Sequence, residues 1–367
     1  MKMSPSTILT TVQSDPFQTS FLGQLLLAEH FDIAAKATDH LLENHRELAV
    51  RYRPQPALKW RLHLEGAVKE LAAAAFVDSP AVFHRHLSWM LDAFSVRGVP
   101  AVDLLVALKS LEHIVLRTVP EPEHEWVQHA FRSFAPVSTL ADPSYLNGDD
   151  PCAKLAARML VAALDGERMA AARIVMDAVR AGLPARDVHE KVITPALREV
   201  GRLWHRDQMS IAEEHACTTT MQTILSQLLD VAPAAERNGK TVLTAAVEGN
   251  NHEIGLRMVA DAYEISGYRS INLGANVPAE DMAGAIRDFR ADVIALSATM
   301  SIHLRSMGDA IASVKAAFGV RAPKIIVGGG AMELAPEIWE TFGADAYAKS
   351  AWQAVSIADG FFGFKSR

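Results

Sequence analysis

Apolar residues recur every three to four positions through the first third of the chain. The period predicts helices over Phe21–His30, Ile33–Tyr52, Ala57–Phe76, Ala81–Val96 and Ala101–Val119. Breakers fall between them: Pro54 with Pro56, Pro80, Gly98 with Pro100, and Pro120 with Pro122. Runs of β-branched residues are scarce from Phe17 to Phe134, so this stretch reads as an all-α domain of about six helices, with outer bounds at residues 1–137. The segment Ala135–Pro151, rich in Pro, Ser, Asp, Asn and Gly, reads as a linker. A second amphipathic set follows at Cys152–Leu164, Glu167–Gly182, Ala185–Trp204 and Ser210–Val231. Gly182 and Pro184 stop and restart the pattern, and Pro195 kinks or divides the third helix. Short connections predict an antiparallel four-helix bundle over residues 150–232.

The period changes at Lys240. Short β-rich runs at Thr241–Val247, Ser270–Leu273, Val293–Ser297, Lys324–Val327 and Asp345–Ala348 alternate with helical ones at Ile254–Ile265, Ala279–Phe289, Leu304–Ala317, Ala335–Thr341 and Ala351–Phe361. Continuously apolar strands, each followed by a helix, indicate a parallel sheet covered on both faces. Residues 238–367 are therefore expected to form a doubly wound, Rossmann-like α/β domain, with its ligand crevice beyond the carboxyl ends of the strands. The predicted fold class is multidomain α and α/β.

Composition narrows the function more than the fold. At 367 residues the chain can bury two or three cores, and a net charge of −7 argues against a protein built to grip nucleic acid. The N-terminus lacks a basic stretch followed by an apolar one, so no signal peptide is expected. No apolar run approaches the roughly 20 residues that span a bilayer, and a cytoplasmic protein without a membrane or direct nucleic-acid partner is the expectation. Cys152 and Cys217 make no disulfide framework and lack zinc-site spacing.

The candidate chemistry lies in the loop after the first strand, Glu248-Gly249-Asn250-Asn251-His252-Glu253-Ile254-Gly255. Neither Gly-x-Gly-x-x-Gly nor the P-loop lysine pattern is present, which weakens a dinucleotide or nucleotide reading. His252 is placed where the crevice should open, and a neutral ring nitrogen is a good metal donor. Its other nitrogen needs an orienting oxygen, from Asn250 or Glu253, and Gly255 is expected to allow close packing as the next helix begins. A lone histidine would read as a helix cap. Ser297-Ala298-Thr299 at the end of the third strand and Gly328-Gly329-Gly330 after the fourth reverse that reading, because small residues at neighbouring strand ends would open a slot for an elongated ligand tail.

These residues resemble the B12-binding domain of methionine synthase, corrinoid proteins and mutases, over about Lys240 to Phe362. The family motif is Asp-x-His-x-x-Gly, then Ser-x-Leu or Ser-x-Thr, then Gly-Gly. The resemblance implies His252 as the lower cobalt ligand, with Ser297, Thr299, Gly328 and Gly329 lining a tail channel; Asn250 departs from the usual acidic residue. The string from Trp204 to His215 has a structural reading, with Ser210 as N-cap and Glu213 completing a capping box. It also resembles the helix bundle of CarH-type B12 photoreceptors. That resemblance implies that Trp204, Ile211 and Glu214 contact the adenosyl group of adenosylcobalamin, that His205 takes the upper cobalt position after light, and that His215 supports them from behind.

No winged DNA-binding segment of the CarH type is recognisable between Met1 and Phe134. The layout is similar to that of photocobilins, which implies a globin-like domain holding biliverdin. With no cysteine in this segment such a bilin would be non-covalent, and His84, Arg85 and His86, with Arg51 and Arg53 upstream, are its candidate contacts. The implied activity is a non-enzymatic light sensor that signals by changing its quaternary structure, as a homo-oligomer such as a dimer, to an unknown protein partner. The rivals are a corrinoid methyl-carrier subunit of a methyltransferase system and a cobalamin-dependent adaptor of a transcription factor.

Overall fold

A computed structural model of the chain describes residues 20–132, 134, 143–334 and 337–364. Phe17, the first part of the Ala135–Pro151 linker and the start of the helix expected at Ala335 lie outside the described residues. The helical N-terminal region contains α1 (Phe21–Ala28), α2 (His30–Asn44), α3 (Arg46–Arg51), α4 (Pro56–Phe76), α5 (Pro80–Val96), α6 (Ala101–Thr118) and α7 (His124–Arg132). The single helix expected over Ile33–Tyr52 is broken at His45, whose φ of −130° and ψ of 66° leave the helical region. Caps explain the other boundaries. Ser20 accepts from the Gly23 amide to start α1, and Pro56 and Pro80 occupy first-turn positions where their missing N–H is harmless.

The bundle comprises α8 (Pro151–Leu164), α9 (Arg168–Arg180), the single turn α10 (Ala185–Asp187), a π-helical turn (Val188–Ile193), α11 (Thr194–His205) and α12 (Ile211–Val231). Pro195 lacks the amide that a regular helix would bond, and the turn just before it is widened to π. The expected division of the third helix is thus present.

The C-terminal part runs β1 (Thr241–Ala246), α13 (Ile254–Ile265), β2 (Arg269–Asn272), α14 (Ala279–Phe289), β3 (Val293–Ser297), a 3₁₀ turn (Ser301–His303), α15 (Leu304–Phe318), β4 (Lys324–Gly328), α16 (Gly330–Leu334), α17 (Ile338–Phe342), β5 (Ala346–Tyr347) and α18 (Ala351–Phe362). The five strands are parallel in the order β2-β1-β3-β4-β5. Every residue of β1 is buried, as a strand covered on both faces requires. The order reverses between β1 and β3, so the crevice opens beyond the ends of those two strands.

Three apolar cores hold the parts together. One is continuous from the N-terminal helices into the sheet face covered by α14 and α15, joining residues such as Leu64 and Phe83 to Leu243 and Ile311. A second fills the bundle and takes in Ile254 and Met258 from α13. A third lies under α13 and α18 on the other sheet face. The N-terminal region is therefore built onto the α/β domain. Where α4 meets the 3₁₀ turn, Ser301 donates to the buried carboxyl of Glu70 at 2.5 Å, and burial pushes that carboxyl up to about 7. Among the described residues no helix is long and apolar enough to cross a membrane.

One buried histidine gives a test of the bundle. His189, in the π turn, is 1% exposed and neither ring nitrogen has a hydrogen-bond partner among the described residues, so burial lowers its pKa to about 4. The unfolded ring protonates near pH 6.5. Its contribution is complete above that pH and is lost as the pH falls towards 4, because the unfolded state then binds the extra proton. His189→Met is expected to reduce the slope of unfolding free energy against pH between 6 and 4.5 by about 1.4 kcal/mol per pH unit, one proton's worth. Denaturant titrations at several pH values measure it, and parallel curves would mean that the folded ring is already charged.

Candidate functional site

The loop after β1 is braced from three directions. The Asn250 amide donates to Val247 O at 2.9 Å, and the Asn276 amide donates to Asn250 O at 3.0 Å. The Gly249 amide donates to Asn276 Oδ1 at 2.7 Å, and Gly249 turns the chain with a φ of 82°. Asn250 is fully buried at the switch point. Its Nδ2 donates to Ser297 O at the end of β3, 3.0 Å away. That contact fixes which end of the amide is which, since a carbonyl can only accept.

Oδ1 of Asn250 therefore faces His252, accepting from its backbone amide and from Nδ1, each at 3.2 Å. With the proton on Nδ1, the lone pair is on Nε2, which has no hydrogen-bond partner among the described residues. Surrounding protein lowers the ring's pKa, partly opposed by the charge of Glu214, so the neutral donor form is favoured. Of the two orienting oxygens weighed from the sequence, Asn250 is the one used. Glu253 is engaged elsewhere, accepting from Gln222 Nε2 of α12 at 2.8 Å and so tying the bundle to the loop.

Glycines in the site have two different reasons. A Cβ on Gly255 would meet nothing within 4 Å, so the close packing expected there is absent and the first turn of α13 is open. Ile254 beside it is buried in the bundle core. Ser297 and Gly328 are register partners across β3 and β4, as neighbouring strand ends should be. Gly329 has a φ of 95°, and a Cβ there would fall 2.2 Å from Ala298 O; one on Gly330 would lie 2.9 Å from Thr299 O. These two glycines are required by the approach of the two strand-end loops, where Thr299 is half-buried.

Above the crevice, Ser210 and Glu213 form the expected capping box at the start of α12. Ile211 is 63% exposed. Glu214 is half-buried, accepts from Thr218 Oγ1 at 2.8 Å and pairs with Nδ1 of exposed His215 at 2.5 Å. It has no lysine or arginine partner among the described residues, and its charge reaches His252, so bundle and loop address the same space. Half-buried Trp204 and His205 end α11, where they meet Trp89 of α5.

The structure does not bring His84, Arg85 and His86 to one site. His84 Nε2 bonds Ala130 O of α7 at 2.8 Å, Arg85 points outward, and His86 lies 3.6 Å from Glu70 on another face of α5. Arg51 is taken by Asp103. Sequence reasoning missed His303, a buried ring beneath Gly249 whose pKa is pushed down to about 4 by burial and by neighbouring His252. It also missed Trp89 and Arg97, of which Trp89 is 41% exposed on α5.

Residues 240–356 match a family model described as a B12 binding domain, and residues 155–229 match a second with the same description. The chain is 30% identical over 190 residues to dimethylamine corrinoid protein 3 of Methanosarcina acetivorans, covering 50% of this chain and 87% of that one. It is 32% identical over 157 residues to the HTH-type transcriptional repressor CarH of Myxococcus xanthus, covering 43% of this chain and 52% of that one. The solved monomethylamine corrinoid protein of Methanosarcina barkeri shares the fold, with a TM-score of 0.51 and 19% identity over 57% of this chain and 98% of that one.

Gly329→Ala tests the strand-end packing. Strained φ and a carbonyl contact at 2.2 Å together are expected to lower the stability of the α/β domain by about 3 kcal/mol or more. Chemical denaturation followed by far-ultraviolet circular dichroism measures it, and a loss under about 1 kcal/mol would show that the two loops can part freely.

Proposed function

The chain belongs to the family of B12-binding corrinoid proteins, and from that premise we propose that it is a non-enzymatic light sensor carrying adenosylcobalamin. The residues present fit a cobalamin. His252 offers an oriented, neutral Nε2 at the mouth of the crevice, and the open first turn at Gly255 leaves room beside it. Adenosylcobalamin, when bound, supplies a cobalt–carbon bond that visible light breaks.

The observation that carries the adenosyl reading is Glu214. It is a half-buried carboxylate with no lysine or arginine partner among the described residues, held by Thr218 and His215 and close enough for its charge to act on His252. A carboxylate only accepts hydrogen bonds, and the ribose hydroxyls of an adenosyl group are donors that suit it. Trp204, in the last turn of α11, offers a flat apolar surface for an adenine. His205 beside it would be the second imidazole able to hold the cobalt. The similarity to CarH extends over 157 residues, 43% of this chain.

In this reading Asn250 orients His252, and Glu214 and Trp204 would hold an adenosyl group between bundle and crevice. A shift of the bundle is then the signal, since a local change is read globally when it biases one of two packings. A second reading, a methyl-carrying corrinoid protein, is favoured by the greater span of similarity to dimethylamine corrinoid protein 3. It leaves the Glu214 arrangement without a specific role.

Absorbance spectra before and after green light separate the two. The light sensor is expected to convert adenosylcobalamin to a form with nitrogen ligands on both faces, and His205→Ala to lose that form alone. Unchanged adenosylcobalamin bands after illumination would reject the proposal, and preferential binding of methylcobalamin with methyl transfer to a partner would favour the carrier. Asn250→Leu is expected to weaken cobalamin binding about 10- to 100-fold through loss of ring orientation, read by equilibrium titration. Unaltered affinity would place the orienting group elsewhere.

A further inference from the structure

The N-terminal helical region reaches the upper-face residues through α5. The Trp89 indole is stacked on the His205 ring at 5.2 Å and 9°, and on Trp204 at 6.2 Å and 22°. His205 Nε2 lies 3.1 Å from Trp89 O. Just past the end of α5, Arg97 donates from Nη1 to His205 O and from Nη2 to Trp204 O, both at 3.3 Å. Its Nη2 also lies 3.4 Å from the carboxylate of Asp207, which turns the chain with a φ of 58°. The carbonyls of a last helical turn have no partner within the helix, and a guanidinium fork beside them satisfies them and complements the negative end of the dipole.

We propose that Arg97 and Trp89 are positioning residues that latch His205 and the end of α11, holding Nε2 away from cobalt until the bundle moves. The proposal rests on the cobalamin reading above. A carbonyl can only accept, so Nε2 must carry the proton in its contact with Trp89 O. A protonated ring nitrogen has no lone pair for a metal. For His205 to ligate through Nε2, the bond to Trp89 O must break, the ring must leave the Trp89 face, and the Nε2 proton must pass to water or be replaced by one on Nδ1. Arg97 opposes this by clamping the backbone that carries the ring.

The latch is continuous with the floor of the site. His86 stacks on Trp89 at 6.0 Å, and its Nδ1 lies 3.6 Å from Glu70, which accepts from Ser301 in the loop between β3 and α15. That loop also carries Thr299 at the strand end and His303 beneath the His252 loop. A displacement of the loop thus has a contact path to His205 that runs through the N-terminal region and bypasses the bundle.

Two readouts test the latch on full-length protein. In the cofactor-free protein, Arg97→Ala is expected to speed hydrogen exchange of the Arg206, Asp207 and Gln208 amides about tenfold, as loss of a charge-assisted hydrogen bond implies. These amides bond Arg202 O, Trp204 O and Leu203 O in the closed turn. In protein loaded with hydroxocobalamin, Arg97→Ala and Trp89→Ala are each expected to speed the His205-dependent appearance of the two-nitrogen-ligand spectrum by about the same factor. Arg97→Lys, which keeps the charge but not the fork, should lie between. Unchanged exchange overturns the latch irrespective of the cofactor result. Unchanged or slower ligation in the variants overturns it while leaving the cobalamin reading intact. A wild-type protein that never forms the His205-dependent spectrum removes the light-sensor reading and the latch with it.

Discussion

The arrangement of the site depends on one buried side-chain amide. Asn250 bridges the end of β3 to the loop after β1, giving its N–H to Ser297 O and its oxygen to both the backbone and the ring of His252. Because the two ends of an amide are chemically opposite, anchoring one determines what the other can do. The switch point of the sheet thereby sets the tautomer of a histidine at its rim. An aspartate in this position would repel Ser297 O unless protonated, so the amide suits this geometry as well as the commoner acid suits others.

Around that bridge, the same few elements serve two needs. The glycines after β4 let that loop come within contact of the Ser297–Thr299 backbone, beside the crevice at the ends of β1 and β3. The bundle is fixed to the α/β domain by Gln222–Glu253, by Arg257–Ser226 and by the burial of Ile254 and Met258 in its core. These ties are near the lower edge of the site. The end of α11 is held instead by Trp89 and Arg97, from a different part of the chain.

The N-terminal helices complete the site from the side. Their core is continuous with that under α14 and α15, so the pairs Glu70–Ser301 and His86–Glu70 occupy an interior seam and cannot be screened as surface contacts would be. Burial raises the Glu70 carboxyl to about 7 and lowers His86 to about 4, which leaves His86 neutral over the physiological range. An uncharged or singly charged seam of this kind can pack tightly, whereas an ion pair there would need further hydrogen bonds to repay its desolvation.

Much of this was legible in the residue pattern, because periodicity, caps and breakers act over a few positions. Ile254–Ile265 and Ala279–Phe289 begin and end as the apolar spacing predicts, and the Ser210–Glu213 box is a local contact that spacing alone implies. A parallel sheet with a histidine at its crevice also followed from sequence, since strand–helix alternation leaves few topologies. The tertiary structure alone decided which oxygen orients His252, because Asn250 and Glu253 are equally near it along the chain and only β3 and α12 distinguish them. It alone decided that Gly255 faces open space while Gly329 is crowded. It alone joined Trp89 and Arg97 to His205, separated by 116 residues in one case and 108 in the other, because such contacts depend on how whole domains dock and leave no periodic trace in the sequence.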